Sequence, residues 1–435
     1  LKKIKSNELF FTIILLVGLI VRIILAPFSS GSDIVQFAGF AKTIQRHGFC
    51  FYNYAAAFSE EMWPYNWPYL YGPVLAYILG LLVHVVNPDY SAFWVNGHYF
   101  VYVSEMWILV LKSVFIVFDM LVALLIYIIT RRILLVVLYY LNPAVIYTSS
   151  IYGMFDQIAL ALLLAGLILL EKKRPGVAGV LIALSLLTKQ NILFSILGLA
   201  ILLTQHRDLF KNTLMGFIVG TLLTLSPILV TCPTSLLKLK DTLYMLRPNY
   251  VEPLAYSFNG VSSLATLIHR VYGIDTLWLI EYWYIFTLIL LPLLVLYTLR
   301  RQDIYLNTLL YYLLFTTTYW RVNYQYLTLL IGLLAVGVAR EVKKSLKGLY
   351  ILLALYIGAW FFIFPVDWWF RVHIEKPNNT IIKVVKAFSI NIYIDEYYAF
   401  YSLILTLLEY TTILYTSLIG IKDLKIRLHE LFKYS

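Results

Sequence analysis

The chain has 435 residues, 61% hydrophobic and 13% charged, with a formal net charge of +11. That balance excludes a soluble globular domain and fits a multi-pass membrane protein, in which each crossing takes about 20 apolar residues. Nucleic-acid binding is excluded as the reason for the charge, because the basic residues form no single patch and fall as short clusters between apolar runs.

The first apolar run, 9–28, is span-length, lacks a small-residue cleavage site and is followed by further runs, so it reads as a crossing rather than a signal peptide. It empties into "SSGSDIVQFAGFAKTIQRHG", where an amphipathic helix is predicted over 33–47. Ser32 is a natural N-cap, and Ile34, Phe37, Ala38, Ala41 and Ile44 form a stripe opposite Gln36, Lys42 and Arg46. Asp33 falls in the first turn, where the helix dipole favours its ionised form. It caps the helix there, or it is a chemical group placed at the mouth of a membrane span.

Next comes "YLYGPVLAYILGLLVHVV" at 69–86, followed by apolar runs near 104–130, 133–149, 157–170, 176–188, 191–204, 213–231, 276–298, 304–318, 324–340, 347–364 and 398–420. Basic clusters at Lys2/Lys3/Lys5, Arg131/Arg132, Lys172/Lys173/Arg174, Arg207/Lys211, Arg300/Arg301, Arg340/Lys343/Lys344/Lys347 and Lys422/Lys425/Arg427/Lys433 all lie on one side only if 69–86 is interfacial or re-entrant. The expectation is an all-α polytopic protein with about twelve spans and both termini cytoplasmic. Its long external loop, 29–103, carries two membrane-hugging helices. The alternative, in which 69–86 crosses and an extra span is hidden in 87–103, would need a polar, aromatic stretch to insert.

This topology exposes "YTSSIYGMFDQ", the loop 232–275, "YWRVNYQY" and "PVDWWFRVHIEKPNNT" on the same outer face. Two carboxylates, several cations and many aromatics gather there. A transport path would instead put ionisable groups at mid-membrane. Lys112 and Asp119 share one face of the 104–130 run and read as bundle-holding groups. The tail "KDLKIRLHELFKYS" reads as a basic amphipathic cytoplasmic helix. Two cysteines, Cys50 and Cys232, are too few for a disulfide framework or zinc site, and leave open one bridge between outward loops.

The ordered set of first span, Asp at the head of an external helix, aromatic-x-Pro lead-in "YLYGPVLAY", then "NPAVIYTSSIYGMFDQIAL" and "LLTKQNILF" resembles the GT-C superfamily of integral-membrane glycosyltransferases. It is similar to the branches using polyprenyl-phosphate sugars: the asparagine-linked glycosylation glucosyltransferases, the GPI mannosyltransferase and related archaeal and bacterial enzymes. The resemblance covers roughly residues 9–231, with weaker echoes in "SFNGVSSL" and "NYQYLTLL". It implies a seven-span catalytic module over 1–231, an external loop at 232–275 and a variable C-terminal module at 276–435. By the same resemblance Asp33 matches the general base, and Asp156 with Tyr152 and Gln157 matches a second-loop motif bordering the active site. Lys189 and Gln190 match a Lys-Gln pair at an outer helix end. Arg321 and Gln325 occupy the region that faces the lipid phosphate, where this sequence departs from the expected His- and Lys-containing versions.

Residue chemistry leads to compatible requirements. Phosphate is already a good leaving group, so transfer of a sugar from a lipid phosphate needs one carboxylate to take the acceptor proton, and cations for the phosphate. Paired carboxylates, as in a hydrolase, are unnecessary. Arg321, Lys189, Arg247, Arg270 and His269 are the external cations, with Arg best suited to bidentate phosphate contact. Tyr71 and the clusters "FCFYNY", "MWPYNWPYLY" and "VDWWF" are placed to face sugar rings or to form an aromatic belt at the membrane surface. Asp156 can equally cap a helix, Lys189 can snorkel to headgroups, and Arg247 and Arg321 can anchor the interface. Glu60 and Glu61 read as a solvated pair. The sequon at Asn378–Thr380 agrees with an external loop. There is no D-x-D and no His/Cys cluster with ligand spacing, so neither cofactor nor metal is expected.

The expected function is hexose transfer (mannose or glucose) by inverting single displacement. Donor and acceptor are a polyprenyl-phosphate sugar and a glycan or glycolipid, on the non-cytoplasmic face of a plasma or endoplasmic-reticulum membrane, with no nucleic-acid partner. A transporter or flippase for lipid-linked sugars, and a non-catalytic subunit of a glycosylation complex, are the alternatives.

Overall fold

A computed structural model of the chain describes residues 2–28, 32–55, 69–95, 98–239, 260–300, 303–340, 347–356, 372–373, 400–416 and 418. Arg247, Glu60, Glu61, the sequon at Asn378–Thr380 and the basic tail lie outside them, as do the side chains of Ser32 and Arg270. In chain order the elements are α1 (Lys2–Leu25), α2 (Ser32–His47), α3 (Phe51–Tyr54), α4 (Pro73–Leu82), β1 (Tyr90–Val95), β2 (His98–Val103), α5 (Glu105–Thr130), α6 (Ile133–Tyr140) and α7 (Pro143–Ile146). A π-turn, Tyr147–Tyr152, continues α7. Then follow α8 (Asp156–Glu171), α9 (Pro175–Leu186), α10 (Leu193–Leu203), α11 (Arg207–Thr231), α12 (Thr234–Leu239), α13 (Val261–Tyr272), α14 (Leu277–Glu281), α15 (Trp283–Thr298), α16 (Ile304–Thr318), α17 (Tyr326–Arg340), α18 (Lys347–Leu355) and α19 (400–416).

The protein is therefore nearly all-α, and among the described residues three stretches are long and apolar enough to cross a bilayer: Asn7–Leu25 of α1, α5 and α11. On α1, Leu9, Phe10, Ile13, Leu16, Val17 and Ile20 are exposed, and α11 bares Leu214, Met215, Ile218, Val219, Leu222 and Leu223. Apolar bands of that extent belong against lipid, so this is a membrane protein. Other expected crossings appear as helices of 16 residues (α8), 12 (α9) and 11 (α10). At 1.5 Å per residue these run about 16–24 Å, short of a hydrocarbon core of about 30 Å. Helix length alone does not give twelve crossings.

The expected run at 133–149 is broken. α6 and the α7 segment meet at a 45° bend where Pro143 follows Asn142. Asn142 caps the second half, its side-chain oxygen accepting from the Ala144 N–H at 2.9 Å. The segment 69–86 holds only the 10-residue α4, which starts with Pro73 at its first turn and is too short to span. The first loop also departs from a purely helical reading. β1 and β2 pair antiparallel, Tyr90 opposite Val103, and the short strand β3 (Val372–His373) adds parallel to β2. The density of aromatic residues and valine in "YSAFWV" and "HYFVYV" favours strands.

Inside the bundle, α16 and α17 are enclosed almost all round: Tyr305–Thr318 and Tyr326–Val338 are buried. Helices α9 and α11 lie in backbone contact. A Cβ on Gly216 would collide with the Gly176 carbonyl, and one on Gly179 with the Thr213 carbonyl. Lys112 and Asp119 hold the bundle through separate partners rather than each other. Lys112 Nζ donates to the carbonyls of Ala26 (2.9 Å) and Ile151 (2.8 Å). Asp119 pairs with fully buried Arg22 at 3.0 Å and accepts from the Tyr139 hydroxyl at 3.1 Å. At the far end of α8, Arg340 meets Glu171 at 2.7 Å, and the Tyr305 hydroxyl donates to the same carboxylate at 2.8 Å.

Candidate active site

The site forms where α2, the lead-in to α4, the π-turn and the starts of α8 and α10 meet. Gly153 makes the corner. Its φ of +89° is a conformation other residues adopt with strain, and a Cβ there would strike Ile34. The turn therefore lies directly against α2, and Tyr152 reaches Asp33. Its hydroxyl donates to Asp33 Oδ2 at 2.7 Å.

The Asp33 side chain is only partly exposed. Burial pushes its carboxyl above the ordinary carboxylate range. Opposing that rise are the Tyr152 hydrogen bond, the charges of Lys189 and Arg321, and a hydrogen bond from Tyr71. Four of the residues singled out in the sequence thus act on a fifth, although the chain brings them from positions 33 to 321.

Asp156 opens α8 fully buried, and its Oδ2 accepts from Lys189 Nζ at 3.0 Å. Lys189 is enclosed by rings, lying 4.4 Å from the Phe155 centroid, 5.3 Å from Tyr71 and 5.6 Å from Tyr326. A buried ion pair in an aromatic box is costly to desolvate, so its place beside Asp33 sets the field there. Neither snorkelling to headgroups nor simple helix capping describes this pair. Phe37 meets Phe155 and Tyr71 edge-on at 5.8 and 6.1 Å.

The remaining candidates divide. Gln190 donates to the Leu70 carbonyl, holding the strand before Tyr71, and the Tyr52 hydroxyl donates to the Tyr71 carbonyl at 3.0 Å. Gln157 turns its Nε2 to the Met154 carbonyl at 2.8 Å. Arg321 is half-buried, with Nε donating to Asn323 Oδ1 at 3.2 Å, and Gln325 is buried nearby on the same loop. His269 is exposed near the end of α13, its Nδ1 3.1 Å from the Ile274 carbonyl.

Residues missed in the sequence include Phe37, Phe155 and Tyr326, and Tyr324, whose ring packs edge-on against Tyr152 at 5.0 Å. In a chain with 17% aromatics nothing marks these rings out. Arg22 was also missed, and here a signal existed: a lone arginine inside an apolar run needs a buried partner.

Three buried acceptor oxygens in this region, Asp156 Oδ1, Gln157 Oε1 and Asn191 Oδ1, have no hydrogen-bond donor among the described residues. Such atoms suit a ligand that brings hydroxyl donors. Among the described residues, no group of three or more His, Cys, Asp or Glu side chains gathers in a way that would hold a metal.

A family model described as glycosyltransferase family 87 matches residues 69–317, more than half of the chain. The match takes in Tyr71, Tyr152, Asp156 and Lys189. Asp33 and Arg321 lie beyond its two ends, so the roles considered for them rest on the geometry above. No curated protein matches the chain.

Proposed function

Since the chain belongs to glycosyltransferase family 87, and is thus an enzyme, we propose that it transfers a hexose from a polyprenyl-phosphate sugar to a glycan or glycolipid hydroxyl, with Asp33 as general base. The observation that carries this reading is the contrast between two carboxylates. Asp156 is fully buried and committed to the Lys189 ammonium at 3.0 Å, whereas Asp33 keeps partial exposure and is held by the neutral Tyr152 hydroxyl, with burial pushing its carboxyl upward. A base poised nearer the working pH accepts a proton more effectively than an ordinary surface carboxylate.

In the proposed step the acceptor oxygen attacks the anomeric carbon as Asp33 takes its proton, and the bond from that carbon to the phosphate oxygen breaks. The leaving polyprenyl phosphate carries away the electron pair, and the configuration inverts. Arg321 is proposed to meet the phosphate with its guanidinium, and Lys189 to add positive field from its aromatic box. No metal enters this step. The donorless oxygens of Asp156, Gln157 and Asn191 supply acceptors for sugar hydroxyls.

Orientation follows from charge. Asp156 heads α8, and Lys172, Lys173 and Arg174 follow its other end, about 24 Å away. Arg131 and Arg132 likewise lie at the end of α5 remote from Lys112, which is bonded to the carbonyl beside Tyr152. Under the positive-inside rule the Asp33 end faces away from the cytoplasm, in a GT-C-like arrangement of twelve crossings.

The test is reconstitution in liposomes with labelled polyprenyl-phosphate mannose or glucose and a lipid-linked glycan acceptor. Transfer by the wild type and a loss of about 10²–10⁴-fold in Asp33→Asn is expected, the usual contribution of general base catalysis. Unimpaired transfer by Asp33→Asn, or movement of the lipid across the bilayer with no transfer product, would overturn the reading.

A further inference from the structure

The first external loop and the end of α11 meet at two thiols. Cys50 closes the short 3-10 turn Gly48–Cys50 after α2, and Cys232 is the residue on which α11 ends. Cys50 Sγ lies 4.0 Å from the carbonyl oxygen of Thr231, and Asn53 Nδ2 lies 3.3 Å from Cys232 Sγ and 3.0 Å from Thr234 Oγ1. Cys50 Sγ thus lies against the residue next to Cys232, and both thiols are free and partly exposed. Two further contacts fix the seam: Phe49 packs edge-on against Tyr77 at 5.9 Å, and the Tyr77 hydroxyl donates to the Thr224 carbonyl of α11 at 2.6 Å.

We propose that Cys50 and Cys232 form a reversible disulfide that ties the loop bearing Asp33 to the end of α11, made by exchange with a disulfide-bearing oxidant on that face of the membrane. The exchange balances in two displacements. A Cys232 thiolate attacks one sulfur of the oxidant, whose S–S bond breaks and releases one thiol. Cys50 gives up its proton and attacks the Cys232 sulfur of the mixed disulfide, releasing the second thiol. Two protein thiols are oxidised, and one oxidant disulfide is reduced to two thiols.

The neighbours of each sulfur assign the order of attack. Cys232 Sγ accepts from the Asn53 amide at 3.3 Å and has the Thr234 hydroxyl at 3.7 Å, which favour its thiolate, whereas Cys50 Sγ faces the Thr231 carbonyl oxygen at 4.0 Å, which favours the thiol. The consequence for the fold lies in what the loop carries. Helix α2 runs directly into the Cys50 turn, and Tyr52, two residues on, holds the Tyr71 carbonyl. A covalent tie here fixes the segments that present both Asp33 and Tyr71. The inference does not depend on the transfer reaction and would stand if Asp33 proved not to be the base.

The chain has only these two cysteines, so the assignment of any intramolecular disulfide is unambiguous. The full-length reduced protein, in membranes, is treated with glutathione disulfide, alkylated and analysed by peptide mass. The expected wild-type product is an internal Cys50–Cys232 link with both thiols lost to alkylation, while Cys50→Ser retains a glutathione adduct on Cys232. A wild-type protein that keeps a glutathione adduct, forms only intermolecular links, or still alkylates at both cysteines overturns the proposal.

Discussion

The Tyr152 hydroxyl donates a 2.7 Å hydrogen bond to Asp33, joining two residues that lie 119 positions apart in the chain. The bond favours the ionised carboxylate and opposes the larger effect of burial, which raises the Asp33 value. Asp33 must be deprotonated to act as base, so activity is full above its raised value and falls as pH drops through it. Removing the bond raises the value further. Tyr152→Phe is expected to move the acid limb of kcat/KM upward by about one to two pH units, the equivalent of losing one charge-assisted hydrogen bond. An acid limb that stays in place would show that Tyr152 does not act through Asp33.

Breaking the Asp156–Lys189 pair from one side leaves a charge buried without its counter-ion. Lys189→Met is expected to cost about 3–5 kcal/mol, seen as a lower melting temperature in detergent. Asp156→Asn together with Lys189→Met should recover much of that loss. Transfer should remain depressed in the double variant, because the Lys189 charge no longer adds its field to the site. Full recovery of transfer would remove the pair from the chemistry.

Arg22 and Asp119 offer the contrasting case. Both are fully buried and paired at 3.0 Å, on helices α1 and α5. Arg22→Met alone is expected to destabilise by about 3–5 kcal/mol, whereas Arg22→Met with Asp119→Leu should restore both melting temperature and transfer. A double variant as unstable as the single one would show that the pair holds the bundle in a way apolar packing cannot replace.

The α9–α11 contact predicts a difference between two nearby glycines. A Cβ on Gly216 meets the Gly176 backbone, while one on Gly176 meets nothing within 4 Å. Gly216→Ala should destabilise by about 1–3 kcal/mol through overpacking, and Gly176→Ala should be neutral within about 0.5 kcal/mol. Thermal melting of the two purified variants separates them, and equal effects would contradict this helix approach.

Much of this protein could be read from residue order. The apolar runs at 9–28, 104–130 and 213–231 became long helices because a bilayer leaves an uninterrupted apolar segment no other way to satisfy its backbone. The amphipathic stripe from Ile34 to Ile44 produced α2 for the same local reason, a period near 3.6 residues. Asp33 and Arg321 stood out by loop position and charge, whereas Tyr152, Asp156 and Lys189 were marked by the family resemblance and Tyr71 by its aromatic cluster. Strand pairing of Tyr90–Val95 with His98–Val103 was not legible, since short aromatic runs suit a hairpin and a membrane surface alike.

What only the tertiary structure decided is which charges meet. Lys112 and Asp119 share a helix face, yet one is bonded to the carbonyls of Ala26 and Ile151 and the other to Arg22. Lys189 faces Asp156 inside three rings, while Asp33 stays partly open. Local patterning depends on hydropathy along the chain, which residue order specifies. The state of a carboxylate depends on its distance from charges and on the water left around it, and those are set only when helices remote in sequence come into contact.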